Sequence, residues 1–190
     1  MKKLLRDYDC FIFDFGGTIV KPMDINWVEL KKEIDQLSLK RGLDLSETPY
    51  LSEKAIRIFK FSSTLKEELV KLIKSKEKQI LTKTRPKDKV FKLLKEVLRT
   101  KGKTVFILSG NTSLVINSFL KKHGINFKQQ NLFSLDRMQV PKSKTLSYRE
   151  ILKHCPNKRR MVYIGNSSTD ERISKLIKVR YIDVQDEKFI

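Results

Sequence analysis

The sequence predicts an α/β protein: a parallel β-sheet with helices on both faces and a small all-helical insertion after the first strand. Three observations predict it. A short apolar run, Cys10–Phe13 with Phe15, stops at Gly16-Gly17, as a buried strand entering a tight turn does. From Asp88 onward, helical patterns alternate with apolar runs of strand length, the signature of a Rossmann-like sheet whose parallel strands are joined by crossover helices. Between these stretches, residues 21–83 show helical periodicity alone. The predicted division is a core of residues 1–20 and 84–190 with a helical unit of residues 21–83.

Taken in order, Trp27, Leu30, Ile34 and Leu37 recur at helical spacing behind a cap at Asp24 or Asn26. Ile56, Phe59, Leu65, Leu69, Leu72 and Ile73 continue in one or two more helices. Asp88–Arg99 places Val90, Leu93, Leu94, Val97 and Leu98 on one stripe and is closed by Gly102. A strand is expected over Thr104–Leu108 and a helix over Ser113–His123, closed by Gly124. Then follow a strand over Asn131–Leu135, a helix over Leu146–His154 ended by Pro156, and a strand over Met161–Ile164. A helix over Thr169–Ile177 and a strand over Val179–Val184 complete the chain.

Composition narrows the function classes. At 39% hydrophobic, the 190 residues can build a real core. Lys and Arg number 41 against 22 Asp and Glu, a formal charge of +19, and such a field draws anions toward any concave site. Phosphorylated small molecules, nucleic acid and anionic membranes are the candidate partners. The basic residues are spread along the chain, with no nucleic-acid motif and no aromatic-and-basic platform, so nucleic acid rests on charge alone and is not favoured. Two cysteines, Cys10 and Cys155, and two histidines, His123 and His154, lack the spacing of a zinc site. No apolar run approaches the ~18 residues that cross a bilayer, so no membrane association is expected. Asp7 and Asp9 interrupt the segment behind Lys2, Lys3 and Arg6, which argues against a signal peptide. The expected protein is reduced and cytoplasmic.

In open parallel sheets, ligands bind at the carboxyl ends of the strands. The polar residues found there are Asp14, Gly16, Gly17 and Thr18 after the first strand, and Ser109, Gly110 and Asn111 after the second. Lys142 lies past the third, and Gly165 to Asp170 follow the fourth. Singly, each has a plainer reading. An Asp before Gly-Gly is ordinary turn chemistry, and Ser109-Gly110-Asn111 reads as a loop and helix cap. Ser168 or Thr169 caps a helix whose dipole Asp170 complements. Lys144 is a close competitor of Lys142.

As a set, these residues resemble the four signature motifs of the haloacid dehalogenase superfamily of phosphohydrolases, in the family's order and spacing. Asp14-Phe15-Gly16-Gly17-Thr18 resembles the Asp-x-Asp-Gly-Thr loop, Ser109 the second motif, Lys142 the third, and Gly165-Asn166-Ser167-Ser168-Thr169-Asp170 the Gly-Asp-x-x-x-Asp of the fourth. The resemblance implies a Mg²⁺-dependent phosphatase acting on a small phosphorylated metabolite, with residues 21–83 as a helical cap. It implies Asp14, Ser109 and Lys142 as catalytic residues, Asp14 being the nucleophile that forms an aspartyl-phosphate. Gly16, Gly17, Thr18, Ser109, Gly110, Asn111 and Lys142 would bind phosphate. Asp14, the Gly16 carbonyl, Asn166 and Asp170 would hold the metal.

Two positions depart from the pattern. Gly16 stands where the family's phosphatases carry an acid/base Asp, and Asn166 where the fourth motif has an Asp. General acid–base catalysis is typically worth ~10²–10⁴-fold, so slower turnover is expected, least for acyl or aryl phosphates. With two carboxylates at the site, weaker Mg²⁺ binding is expected. These departures keep open a catalytically degenerate protein that binds a phosphorylated ligand or partner, and, on charge, a nucleic-acid-associated basic protein. The cap's Lys31, Lys32, Arg41, Lys54 and Arg57 read either as substrate contacts or as a solvated face, the face being favoured.

Overall fold

The computed structural model describes residues 2–139, 146–155 and 157–185. After a short helix α1 (Lys2–Asp7), strand β1 (Cys10–Phe13) leads to three helices, α2 (Trp27–Leu39), α3 (Leu51–Phe61) and α4 (Ser63–Ile80). The chain continues through α5 (Asp88–Arg99), β2 (Thr104–Leu108), α6 (Ser113–Lys122), β3 (Leu132–Phe133) and α7 (Leu146–His154). It ends in β4 (Met161–Gly165), α8 (Ser168–Ile177) and β5 (Arg180–Asp183). The strands form one parallel sheet in the order β3-β2-β1-β4-β5. Phe13, at the end of β1, pairs with Ile107 on one side and Ile164 on the other, so three strand ends open at one level.

The apolar strands follow from burial on both faces. Phe11, Phe13, Val105, Ile107, Val162 and Ile164 point to one face and pack with α5 and α6 through Leu93, Leu94, Val97, Val115, Ile116 and Phe119. Cys10, Ile12, Phe106, Leu108, Met161 and Tyr163 point to the other and pack with Tyr148 and Ile151 of α7 and Ile173 and Ile177 of α8. Full burial of one such side chain stabilises by roughly 1.5–3 kcal/mol. Both cysteines are buried free thiols in this second cluster.

Helices α2, α3 and α4 enclose a third cluster through Leu30, Ile34, Ile58, Leu65, Leu69 and Ile73. The chain leaves the sheet at Val20 and returns at Pro86, and the two segments lie side by side: the Lys21 amide donates to Arg85 O and the Lys87 amide to Ile19 O, each at 2.9 Å. Asn26 caps α2, its Oδ1 accepting from the Glu29 amide. Ser62 has extended backbone and its hydroxyl accepts from the Leu65 amide, which separates α3 from α4 and makes two helices of that region.

Several local expectations are corrected. Leu30 and Ile34 are the buried residues of the α2 stripe, whereas Trp27 is exposed. In α3 the buried apolar side chains are Ala55 and Ile58, with Ile56 and Phe59 half-buried. The expected five-residue third strand is two residues long: Asn131 is taken up by a 3-10 turn, and Leu135 leaves the sheet for the helical cluster. Helix α8 is capped by Ser167, not by Ser168 or Thr169. Lys54 is not on a solvated face; it is buried, and its Nζ donates to Asp35 Oδ1 and Leu45 O. Arg57 donates to Thr48 Oγ1 and Arg41 pairs with Glu68, and both stay exposed, as a solvated face expects. Pro156 lies outside the described residues.

Candidate active site

The site begins where β1 ends. The Asp14 amide donates to Ile164 O at 2.9 Å, which continues the ladder to β4 by one residue and places Asp14, buried, at the carboxyl end of the sheet. The chain then turns sharply: the amides of Thr18, Ile19 and Val20 all donate to Phe15 O. Gly17 makes this turn possible with φ of +76°, a left-handed conformation that suits a residue without Cβ. The turn folds Thr18 back into the interior. Its Oγ1 lies 3.2 Å from Asp14 Oδ2 and 2.9 Å from Asn166 Oδ1, and its one hydroxyl proton is shared between them. The first and fourth loops are thereby joined through a buried hydroxyl.

The first turn of α8, just after β4, supplies the second carboxylate. Asp170 Oδ2 accepts from the Asn166 amide, the Ser167 amide and the Ser167 hydroxyl, and Oδ1 accepts from the Tyr163 hydroxyl at 3.0 Å. Together with the bond from the Asp170 amide to Ser167 Oγ, this is a complete capping box at the start of α8. Gly165 is required for it, because a Cβ there would stand 2.5 Å from Asp170 Cβ. The Tyr163 phenol is driven well above its ordinary pKa by burial and by the carboxylates of Asp170 and Asp14, both of which it feels. Asp14 and Asp170 therefore share one end of the sheet, as strand-end reasoning expects.

The β2 end adds a partner from the helical layer. Ser109 is fully buried, and its hydroxyl donates to Asn111 Oδ1 at 3.0 Å and accepts from the Asn111 amide at 3.2 Å. Asn111 in turn reaches two places. Its Oδ1 sits 2.8 Å from where a Cβ on Gly16 would be, and its Nδ2 donates to Glu77 Oε1 at 2.8 Å. Glu77 comes from α4 and is fully buried; its carboxylate also accepts from the Thr112 amide and hydroxyl at the start of α6. Burial raises its pKa, outweighing the donors from Thr112 and Asn111 that favour the anion, and nearby Asp136 adds to the rise.

Asp136 is the other acid that strand-end reasoning misses. It accepts from the Ser113 amide and hydroxyl and from Ser134 Oγ, and pairs with Lys74 of α4 at 3.0 Å. Burial opposes its ionisation, but these donors prevail and hold its pKa at about 2. A sequence signal for Glu77 does exist. Leu65, Leu69, Ile73 and Glu77 follow one another at four-residue spacing, so an acid stands on the buried stripe of its helix. Asp136 carries no comparable signal.

A cavity of about 400 Å³ opens over these loops. Gly16, Gly17, Gly110, Asn111, Asn166 and Thr169 line it from the strand ends. Met23, Trp27, Leu51, Ala55 and Ile73 line it from the helical layer, together with Glu77. Lys142 and its competitor Lys144 lie outside the described residues. Among the described residues no lysine or arginine lines the cavity, so its apolar wall contrasts with the strongly basic chain.

The model of the haloacid dehalogenase-like hydrolases matches residues 11–184. The chain belongs to this family. No curated protein matches the sequence. Three solved structures illustrate the shared fold. A hydrolase from Pseudomonas syringae is 13% identical, with 92% of this chain and 82% of that one covered at a TM-score of 0.63. CbbY from Rhodobacter sphaeroides, in complex with phosphate, is 16% identical over 96% and 90% at 0.55. YfnB from Bacillus subtilis, bound to magnesium, is 12% identical over 95% and 88% at 0.55. The family match makes this α/β chain a hydrolase of phosphatase type, and no helix among the described residues is long and apolar enough to cross a membrane.

Proposed function

We propose that this hydrolase is a Mg²⁺-dependent phosphatase that forms an aspartyl-phosphate on Asp14 and acts on a small phosphorylated metabolite. The observation that carries the reading is the Thr18 hydroxyl between Asp14 and Asn166, which ties the nucleophile loop to the acidic loop across 148 positions of sequence. In this reading residues 1–20 and 84–190 are the catalytic core and residues 21–83 a cap. The separate apolar cluster of α2–α4 and the side-by-side exit and return of the chain at Val20 and Pro86 support that division.

The residues suit a hard cation. Every candidate donor is an oxygen: the carboxylates of Asp14 and Asp170, the Gly16 carbonyl and Asn166 Oδ1. Asn166 Oδ1 accepts one hydrogen bond from Thr18, and an amide oxygen has a second lone pair. Among the described residues no three of His, Cys, Asp and Glu gather in one place, so the set relies on neutral oxygens and should bind weakly. Bound there, Mg²⁺ would offset the repulsion between carboxylate and phosphate. YfnB with magnesium and CbbY with phosphate are consistent with such a site.

The chain's own groups do the rest. Thr18 fixes the orientation of the Asp14 carboxylate, whose oxygen attacks phosphorus in line with the leaving oxygen. Gly16 and Gly17 let backbone approach the phosphate, beside the amides of Gly110 and Asn111. Ser109, now turned to Asn111, would donate to a phosphoryl oxygen, and Lys142 would balance its charge. Position 16 brings no acid to this step.

A second reading, a binding protein without turnover, is favoured by the packing at Gly16, where Asn111 and Met23 fill the room of the missing side chain. Hydrolysis of p-nitrophenyl phosphate with Mg²⁺ separates the two. The phosphatase reading expects release of nitrophenol that is lost in Asp14→Ala. Activity that survives the substitution excludes Asp14 as nucleophile, and no activity in the wild type favours the binding protein.

A further inference from the structure

The cavity contains one titratable side chain among the described residues that line it, and the phosphatase scheme leaves it unused. We propose that Glu77 is the acid–base residue of this site, delivered by helix α4 in place of a side chain at position 16. The inference rests on the phosphatase reading above.

Three observations carry it. First, Glu77 lines the same cavity as Gly16, Gly17 and Asn166. Second, it stands one amide group away from the empty position: Asn111 Nδ2 binds Glu77 Oε1, while Asn111 Oδ1 occupies the space beside Gly16. A side chain on residue 16 would have to displace that amide and Met23 Cε, so the space an acid on the nucleophile loop would use is already filled. Third, Glu77 is fully buried beside Asp136, and burial raises its pKa above the ordinary carboxylate value. An acid shifted in that direction is suited to giving up and regaining a proton. Asp136, held as an anion by Ser113 and Lys74, is the neighbouring charge that pushes in the same direction.

The balance of atoms is simple. As Asp14 attacks phosphorus, the ester P–O bond breaks and its electron pair goes to the leaving oxygen, which takes the Glu77 proton and departs as an alcohol. The Glu77 carboxylate then takes a proton from water while that water's oxygen attacks the phosphorus of the acyl phosphate. This releases inorganic phosphate and restores both carboxyl groups. The surrounding wall of Met23, Trp27, Leu51, Ala55 and Ile73 is apolar, so the alcohol is one with an apolar carbon skeleton.

The test compares wild type, Glu77→Gln and Asp14→Ala on a series of phosphate monoesters, from dinitrophenyl phosphate to phenyl and hexyl phosphate. Glu77→Gln keeps the shape and the acceptor, and Thr112 Oγ1 can reverse its bond. The expected result is a loss of about 10²–10⁴-fold on hexyl phosphate and less than about tenfold on dinitrophenyl phosphate. The plot of log kcat/KM against leaving-group pKa then steepens in the variant, whereas Asp14→Ala loses every substrate. Equal losses along the series, or none, overturn the role of Glu77 while leaving Asp14 intact as nucleophile. Should Glu77→Gln fail to fold, the wild-type plot decides: a shallow slope supports a proton donor, and a steep slope overturns it. Wild type inactive on the whole series removes both proposals.

Discussion

Asn111 Oδ1 lies 2.8 Å from the point where a Cβ on Gly16 would stand, so that side chain must move for any larger residue there. Met23 Cε closes the same space at 3.2 Å. Overpacking of a filled site costs typically about 1–3 kcal/mol. Gly16→Asp is therefore expected to lower stability by that amount in urea unfolding and to leave hydrolysis of alkyl phosphates unimproved. Adding Asn111→Ala should recover stability, so that a double-mutant cycle gives a coupling of opposite sign to the single losses. Additive losses would show that the two positions do not interfere.

Thr18 tests the bridge between loops. Thr18→Val keeps the volume but leaves Asp14 Oδ2 and Asn166 Oδ1 without this donor in a buried place. Loss of a buried donor costs about 1–3 kcal/mol. The expected outcome is that loss in urea unfolding together with a fall in kcat larger than the change in KM, since the carboxylate loses its fixed orientation. Unchanged kcat would mean that Asp14 is positioned without it.

Asp136 sets an acid limit on stability. Its folded pKa of about 2 lies below the unfolded value of 3.8, so its contribution is fully present above about pH 4 and is lost as pH falls toward 2. The gap corresponds to about 2 kcal/mol. Asp136→Asn should lower stability by about 1–2 kcal/mol at pH 7 and flatten the decline between pH 4 and 2, as read by urea midpoints across that range. A variant that keeps the wild-type acid slope would assign the slope to other carboxylates.

The metal proposal has its own variant. Asn166→Asp adds a third carboxylate and retains an acceptor for Thr18, so Mg²⁺ affinity should rise several-fold in a titration followed by calorimetry. Equal affinities would place the cation away from Asn166.

Most of the architecture was legible because buried parallel strands are uninterrupted apolar runs, and because Asp88–Arg99 repeats its apolar residues at helical period. The strand-end rule places Asp14, Thr18, Asn166 and Asp170 at one end of the sheet. What it could not show is direction. Ser109 and Asn111 read as phosphate contacts; their side chains bind each other, and Asn111 also binds Glu77, a residue of α4 that strand-end spacing does not bring in. Leu135 left the third strand because the helical cluster buries it fully. Ser167 took the cap because only its hydroxyl closes the reciprocal bonds with Asp170. Such choices among competing polar partners depend on which elements meet in space, and spacing along the chain does not encode them.

The phospho-enzyme itself is the most direct measure of the central claim. Acid quenching of the protein during turnover of an acyl phosphate with Mg²⁺, followed by peptide mass spectrometry, should locate an acid-stable, hydroxylamine-sensitive phosphate on the peptide containing Asp14, absent in Asp14→Asn. Phosphate found on another residue, or turnover that persists in Asp14→Asn, would contradict the account.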